Sequence, residues 1–395
     1  RDLHSLRRRQ RQMCIRDRLI IACISPVIDI QTVSVSSDDI EVLTLSLRAV
    51  ELMESSSNAP TIELYGVAWD HTTLTVYIVK TTWLEERYIS AVRKAFSIWD
   101  RALEAFGKAY GYEYLARFSF QVHITSSIPK DYDILVMFVA RTAKRELGEA
   151  ILVYSKASGR ILRVNITIYI YSAQGKLGVT DVLNVAMHEI GHALGLGHAS
   201  VRSTENGPEL MYYRYELGIR ELRPSTLDAY GVAVAHKWLE TGVFRKPRTR
   251  KVELPSSIPY RMLLYYYVKV ISPYGIVSGG GWYVEGAKAR ISISDTVVYI
   301  NNGTRAVFEG WYGDVQVKEP SFEIVVYKDY TIYAKWKLQH YVSVITPYAS
   351  ANIESGWYDE GTRLLINLTK YQIVFNNGTR RLFIGWSGDV KSTNK

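Results

Sequence analysis

Three of the eight histidines fall within eleven residues, HEIGHALGLGH, running from His188 to His198. On a helix each residue turns about 100°. His188 and His192 therefore stand one turn apart on one face, where two imidazoles can reach a single metal ion with little loss of side-chain freedom. Leu183, Met187, Ile190 and Leu194 gather on roughly the opposite face, which would pack. Gly195 can adopt a left-handed conformation, end the helix and swing His198 back as a third ligand. Three neutral nitrogens with an open fourth position describe a catalytic rather than a structural zinc, although other transition metals accept three nitrogens too. Glu189 lies beside the first ligand, on the side where a water would sit. Zinc lowers the pKa of such a water from ~15.7 toward ~7, and Glu189 can take the proton and deliver it to a leaving amine. HExxH alone is a weak signal; the added Gly and third His make coincidence rarer by roughly two orders of magnitude. The competing reading is three core histidines bonded to backbone.

The surrounding pattern supplies elements to carry this cluster. Residues 61–79 are rich in β-branched and aromatic residues and read as strand. From Leu84 to Ala109, the residues Ile89, Val92, Phe96, Trp99, Leu103 and Phe106 recur three or four apart, the stripe of an amphipathic helix. Strand character returns at Phe118–Ile124, Asp133–Ala140, Ala150–Tyr154 and Ile161–Tyr171. A second helix should start near Thr180-Asp181 and stop at Gly195, and a third should run from Ser225, behind Pro224, to about Glu240. Residues 243–259 then have linker composition. Arg245, Lys246, Arg248, Arg250 and Lys251 are interleaved with prolines, and a solvated hinge is a simpler reading of them than a phosphate-binding patch.

After this linker the sequence repeats. VISPYGIVSGGGWYVEGAKARISIS aligns with VITPYASANIESGWYDEGTRLLINL, and YINNGTRAVFEGWYGDV with VFNNGTRRLFIGWSGDV. Alternation, Gly and Tyr dominate, so two β modules are expected, at 260–337 and 338–395, the second truncated before its last strand.

The net charge of +9 is concentrated at one end. Residues 1–18 hold seven Arg and two Asp, a net of +5, which leaves about +4 for the rest. That block has no fold signal and reads as a translated sequencing-adapter remnant, the other reading being the basic start of a signal peptide. No nucleic-acid partner is expected from it. The apolar run LIIACISPVI, within a signal-like stretch at 19–35, is long enough for an export signal and too short to span a bilayer; a buried strand is the alternative. Cys14 and Cys23 both lie in these N-terminal blocks, so no disulfide is expected. With 47% apolar and 22% charged residues the rest of the chain can bury substantial cores, which excludes a wholly disordered protein.

HEIGHALGLGH resembles the metzincin zinc signature HExxHxxGxxH, and is similar to the matrixin version in particular. The resemblance extends over about 70–240: AFSIWDRAL resembles the first matrixin helix, YDILVMF a D-I-x-I-x-F strand, ELMYY the Met-turn, and STLDAYGVAVAHKWL the closing helix. It implies an α+β metzincin catalytic domain at 60–242, a twisted, mostly parallel sheet with three helices. It also implies that Met211 forms a hydrophobic floor beneath the metal. Matrixins carry Pro where this chain has Tyr213. In the related astacins and serralysins a Tyr two places after the Met binds zinc or the transition state. Tyr213 is thus a candidate phenolic ligand or oxyanion donor, with plain packing as the alternative in a chain of 29 Tyr. The cysteine-switch motif is missing, so thiol–zinc latency is not available. Calcium among the strands is compatible with the family, but no loop marks a site. His123, His236 and His340 read as structural, and Asp228 as a helix-end carboxylate.

The tail resembles internalin-type B repeats, through G-W-x-x-x-G-T and F-x-G-W-x-G-D. This implies stalk or binding modules with a cell-surface or carbohydrate contact. Sequons stand at Asn165, Asn302, Asn367 and Asn377. The combined expectation is a secreted or cell-surface zinc endopeptidase acting on protein or peptide substrates held along a sheet edge. Its segment 212–224 should wall an apolar pocket for the residue after the cut. The rival expectation is an adhesion protein whose β repeats carry the function.

Overall fold

The computed structural model describes residues 39–49, 59–140 and 146–393. The expected adapter block at 1–18 and signal stretch at 19–35 lie outside the described residues. Every element that positions the histidine cluster lies within Glu41–Lys395.

A seven-stranded mixed sheet forms its main layer. In chain order its long strands are β1 (Ile40–Ala49), β2 being reserved for the separate strand Thr61–Leu64, then β3 (Thr73–Val79), β4 (Ser119–Thr125), β5 (Ile134–Val139), β6 (Glu146–Ser155) and β7 (Ile161–Tyr169). The order across the sheet is Arg214–Tyr215, β1, β6, β7, β5, β3, β4. Pairings β3–β4, β3–β5 and β5–β7 are parallel, as is that of β1 with Arg214–Tyr215, while β6 runs antiparallel to β7. The 61–79 run expected as strand is split: β2 and β3 are separated by a bend, where Val67, Ala68 and Trp69 turn fully inward.

Three α-helices occur among the described residues: α1 (Glu86–Tyr110), α2 (Val179–Ala193) and α3 (Thr226–Ala235). Helix α1 buries Ile89, Val92, Phe96, Trp99, Leu103 and Phe106, the stripe read from its spacing. It ends at Gly111, whose φ of 80° suits a residue without Cβ. Helix α3 begins as expected at Ser225, whose side chain accepts the Asp228 N–H while Asp228 accepts the Ser225 N–H at 2.8 Å. It stops at Ala235, and a 3₁₀ turn, Lys237–Glu240, completes the expected span.

The stretch 243–259 is more ordered than a hinge. Lys251–Glu253 pairs antiparallel with β2, which pairs in turn with Leu196–Ala199. Alternation explains it: Val252 points inward and is 7% exposed, between two exposed charges. Arg250 and Lys246 donate to the Tyr65 and Lys156 carbonyls, so two of the five basic residues are tethers.

Beyond residue 259 the described residues contain strands and no helix. Two of these strands, Tyr265–Ile271 and Gly281–Val284, lie against α1: the Trp282 N–H donates to Glu104 (3.2 Å), the Arg101 guanidinium sits 4.5 Å from the Trp282 ring centroid, and Tyr265 donates to the Ile98 carbonyl (3.3 Å). Local geometry recurs along this segment. Trp311 exchanges backbone hydrogen bonds with Val317 at 2.6 and 3.3 Å, and Trp386 does so with Ser392 at the same two lengths. Gly286 and Gly361 share a φ of 79°. Tyr283 and Tyr358 each donate to the carbonyl four residues back, at 2.9 and 2.7 Å. The strand Tyr330–Val342 crosses the expected module boundary and pairs with Gly356–Asp359.

Candidate metal centre

Helix α2 packs the face of Leu183, Met187, Ile190 and Leu194, and it is buried on its other sides as well, from Asp181 to Ala193. Its polar residues therefore face protein, and each needs a partner or a ligand. Asp181 and Asn184 have partners in the segment that follows the cluster. Asp181 accepts from the Tyr215 hydroxyl (2.9 Å) and the Gly218 N–H (2.8 Å). Asn184 donates to Tyr215 Oη (2.9 Å) and the Arg220 carbonyl (3.0 Å), and accepts from the Leu222 N–H (2.9 Å). Segment 212–224 is thereby pinned to the helix that carries the histidines.

The histidines are partnered on one nitrogen only. His188 Nδ1 meets the Leu210 carbonyl at 2.7 Å, and His192 Nδ1 meets the Leu196 carbonyl at 2.9 Å. A carbonyl can only accept, so in both rings Nδ1 carries the proton and Nε2 keeps its lone pair. Gly195, with φ at 89°, makes the expected exit from the helix and brings His198 round. The three ring centroids lie 4.6, 4.8 and 5.4 Å apart. Their ligating nitrogens lie within 4.8 Å of one another, and Nε2 of all three is buried without a hydrogen-bond partner. Burial, with His198 nearby, lowers His188 to about 3; burial lowers His198 to about 4 and takes His192 well below its ordinary value. Neutral, buried, unpartnered and convergent imidazoles fit a zinc ion with nitrogen ligands at about 2.0–2.1 Å.

Below them, Met211 is fully buried, and a Cβ on Gly191 would overlap its Sδ. Only glycine leaves room there for the thioether to lie against the helix backbone. The turn around Met211 is held by Glu209, which accepts from the Met211 N–H (3.2 Å), Ser225 Oγ (3.2 Å) and Tyr260 Oη (2.6 Å).

Glu189 is fully buried. Burial raises its pKa well above the ordinary carboxylate range, opposed by the Leu47 N–H. That N–H lies near enough to influence the carboxyl, yet neither Glu189 oxygen has a partner in full hydrogen-bond geometry. Strand β6 passes directly over it: a Cβ on Gly148 would come within 2.5 Å of Glu189 Oε1. An open cavity of about 490 Å³ beside the cluster is lined by His198, Tyr213, Ser200, Glu63 and the β1 residues Thr44, Leu45 and Ser46. Tyr213 is 40% exposed at its rim, with its ring 6.2 Å from that of His198.

Residues 68–236 match the matrixin family model, peptidase family M10. The family implies a zinc metallopeptidase. No curated protein matches the chain. No helix among the described residues is long and apolar enough to cross a membrane.

Other histidines of the matrixin domain serve its framework. His236 is buried at the end of α3, bonded to the Val232 carbonyl (3.1 Å) and to the Trp69 N–H (3.3 Å), and burial lowers it to about 4. His123 is exposed, with its ring tilted by 31° against that of Tyr77 at a centroid distance of 5.2 Å. His71, not singled out by spacing, bridges Asp70 (2.9 Å) and Asp133 (3.1 Å). In the C-terminal segment His340 is an exposed partner of Glu360 at 3.5 Å. Asp228, apart from capping α3, is buried beside Glu209. Sequence reading passed over Asn184, Glu209 and Gly148. Asn184 alone carried a signal, as a polar residue one helical turn before His188.

Proposed function

We propose that the matrixin domain is a zinc-dependent endopeptidase that works outside the cell or at its surface. The observation that carries this reading is the convergence of three buried, unpartnered Nε2 atoms beside a buried carboxylate. In this reading His188, His192 and His198 hold the ion, and Met211 is the apolar floor under it. Bound zinc supplies Lewis acidity, acidifying a water molecule and polarising the scissile carbonyl. Glu189 takes a proton from the attacking water and passes it to the leaving nitrogen. Its burial suits both steps, because a carboxyl with raised proton affinity is a competent base and then a competent acid. Tyr213, at the cavity rim, donates to the oxygen that becomes negative. Segment 212–224, pinned by Asp181 and Asn184, walls the pocket for an apolar residue after the cut. The fixed imidazole protons on His188 and His192 keep the rings from turning, so the ligand geometry is set before the metal arrives.

The segments 260–337 and 338–395 are proposed as two β modules akin to internalin-type B repeats, joined to the catalytic part through 243–259. Their recurring Trp, Gly and Tyr geometry, 75 residues apart, supports the repeat. Exposed Tyr299, Tyr312, Tyr327 and Tyr341 favour a second reading, in which these modules bind a surface or a sugar and supply the main function.

Casein or gelatin cleavage separates the two. Wild-type protein should hydrolyse casein, a chelator should stop it, and Glu189→Ala should lower turnover at least ~10²-fold. Equal, negligible turnover in wild type and variant, with zinc bound, would leave a metal-binding domain without hydrolysis and strengthen the adhesion reading.

A further inference from the structure

Residues 258–263 lie beyond the 68–236 span that matches the matrixin model, yet they pack inside that domain. Ile258, Met262 and Leu263 are buried in the same hydrophobic cluster as Met187 and Met211. The segment is pinned on both flanks. Toward α3, the Thr226 N–H donates to the Arg261 carbonyl (2.9 Å), the Leu263 N–H to the Pro224 carbonyl (2.9 Å), and Thr226 Oγ1 to the Pro259 carbonyl (2.8 Å). Its other flank meets the loop that joins His198 to Met211. There the Glu205 N–H donates to the Tyr260 carbonyl (3.2 Å), and Asn206 accepts from the Met262 N–H (2.7 Å) and donates to the Met262 carbonyl (3.3 Å). A Cβ on Gly207 would stand 2.5 Å from Met262 Cε, so the loop and the segment are in close contact.

One side chain of this segment reaches further in. The Tyr260 hydroxyl donates to Glu209 Oε2 at 2.6 Å, while Glu209 Oε1 accepts from the Met211 N–H (3.2 Å) and Ser225 Oγ (3.2 Å). Glu209 is buried, so both of its oxygens depend on protein donors. Asp228, buried beside it, crowds a second carboxyl into the same place, which adds to the need for a phenol proton there. The two residues after Glu209 hold two of the three histidines. The Leu210 carbonyl fixes His188 through Nδ1 at 2.7 Å, and the Met211 carbonyl accepts the N–H of Ala199, next to His198, at 2.9 Å. A shift of Glu209 is therefore passed to both rings.

We propose that Tyr260 is a positioning residue of the metal centre: acting through Glu209, its hydroxyl sets the Leu210–Met211 backbone that orients His188 and His198. The inference rests on the zinc reading of the three histidines and deepens it. Tyr260 acts at one remove, since Glu209 stands between its hydroxyl and the backbone that holds the rings. Residues 258–263 are then part of the catalytic unit, and the strand Tyr265–Ile271 that follows them is anchored to it rather than hung on a free hinge.

The test measures zinc affinity of the full chain by competition with a chromogenic chelator. Tyr260→Phe should weaken binding roughly 10-fold, the lower end of what losing an outer hydrogen-bond partner costs. In zinc-free protein with labelled histidine, the Nδ1 proton of His188 should exchange with water faster than in wild type. Tyr265→Phe is the control. Its hydroxyl accepts from Arg223 (2.9 Å) and donates to the Ile98 carbonyl (3.3 Å), away from Glu209. Tyr265→Phe should lower thermal stability and leave both readouts at wild-type values. Tyr260→Phe combined with Glu209→Gln should bind zinc as Glu209→Gln alone does, because the phenol acts through that carboxyl. Asn206→Ala loosens the same loop at its contact with Met262 and should also weaken zinc binding. A folded Tyr260→Phe with wild-type zinc affinity and an unchanged His188 proton overturns the inference. So do equal losses in Tyr260→Phe and Tyr265→Phe, or additive losses in the double variant. Should Tyr260→Phe fail to fold, wild-type affinity in Asn206→Ala overturns it instead. If wild type binds no zinc, the zinc reading falls and this one with it. If wild type binds zinc but leaves casein whole, the peptidase reading falls alone, and the ~10-fold loss in Tyr260→Phe still carries this one.

Discussion

Trp99 in the matrixin domain and Tyr299 in the C-terminal segment show how differently two regions of one chain use large aromatic residues. Trp99 is fully buried, and its indole donates to the Met187 carbonyl at 2.8 Å, tying α1 to the helix that carries the histidines. Trp69, in the bend between β2 and β3, holds the C-terminal end of that helix by donating to the Ala193 carbonyl at 2.8 Å. Tyr299 is 64% exposed and leans on Trp357 at a ring separation of 5.7 Å. In the first region a deep core lets aromatic donors satisfy carbonyls that water cannot reach, so each ring both packs and positions. In the second, a small core holds Trp311, whose indole donates to the Glu319 carbonyl at 3.1 Å, while rings such as Tyr299 stand largely in water and add only contact area. A site that must hold three nitrogens in fixed relation belongs in the first kind of surroundings.

Removing one ring from each region should have very different costs. Trp99→Ala should cost about 3–5 kcal/mol of unfolding free energy, and zinc affinity should fall with it as α2 loses its anchor. Trp357→Ala, read by the same denaturant titration, should cost about 1 kcal/mol and leave zinc binding unchanged. Equal costs would show that the C-terminal segment has a core of its own as demanding as that of the matrixin domain.

Glycines offer a second, smaller contrast. Gly195 and Gly361 both have positive φ, at 89° and 79°. A Cβ on Gly195 would stand 2.7 Å from the Val67 carbonyl oxygen, whereas one on Gly361 would meet nothing within 4 Å. Gly195→Ala should therefore pay both backbone strain and overlap, about 2–4 kcal/mol, and weaken zinc binding because His198 moves. Gly361→Ala should pay the strain alone, about 1–2 kcal/mol. Thermal unfolding of both variants checks the ranking.

The smallest expected effect concerns two histidine pairs. Hydrogen bonding to Asp133, helped by Asp70 and opposed by burial, raises His71 from 6.5 to about 9. A group whose folded pKa is raised stabilises fully below its unfolded value and loses that contribution as pH rises through the folded one. Wild type should thus lose part of its stability between pH 6.5 and about 9. His71→Gln should flatten that slope. Solvent around the half-exposed ring keeps the effect small. His340→Gln, at an exposed pair, should leave the melting temperature at neutral pH nearly unchanged.

Much of the matrixin domain was legible because its signals are local. The stripe from Ile89 to Phe106, the Ser225 cap and Gly195 each act within one or two helical turns, so spacing alone exposes them. HEIGHALGLGH is local in the same sense: the helix period sets His188 against His192. Glu209 and Gly148 gave no such signal. Glu209 acts on Met211, Ser225 and Tyr260, the last 51 residues away, and Gly148 matters only because Glu189 passes beneath it. The linker reading of 243–259 missed the strand at Lys251–Glu253 for the same reason, since its partner, β2, lies far back in the chain.

By itself the sequence determined which side chains could bind a metal, which helix would carry two of them and where the chain must turn to bring the third. Those outcomes follow from backbone periodicity and from the conformations open to glycine, which are properties of neighbouring residues. Only long-range packing buries α2 on all sides, leaves Nε2 of His188 and His192 free, and sets Thr44, Leu45 and Ser46 along the cavity beside His198. These depend on what long-range packing brings against each group, because burial and hydrogen-bond partners come from distant parts of the chain.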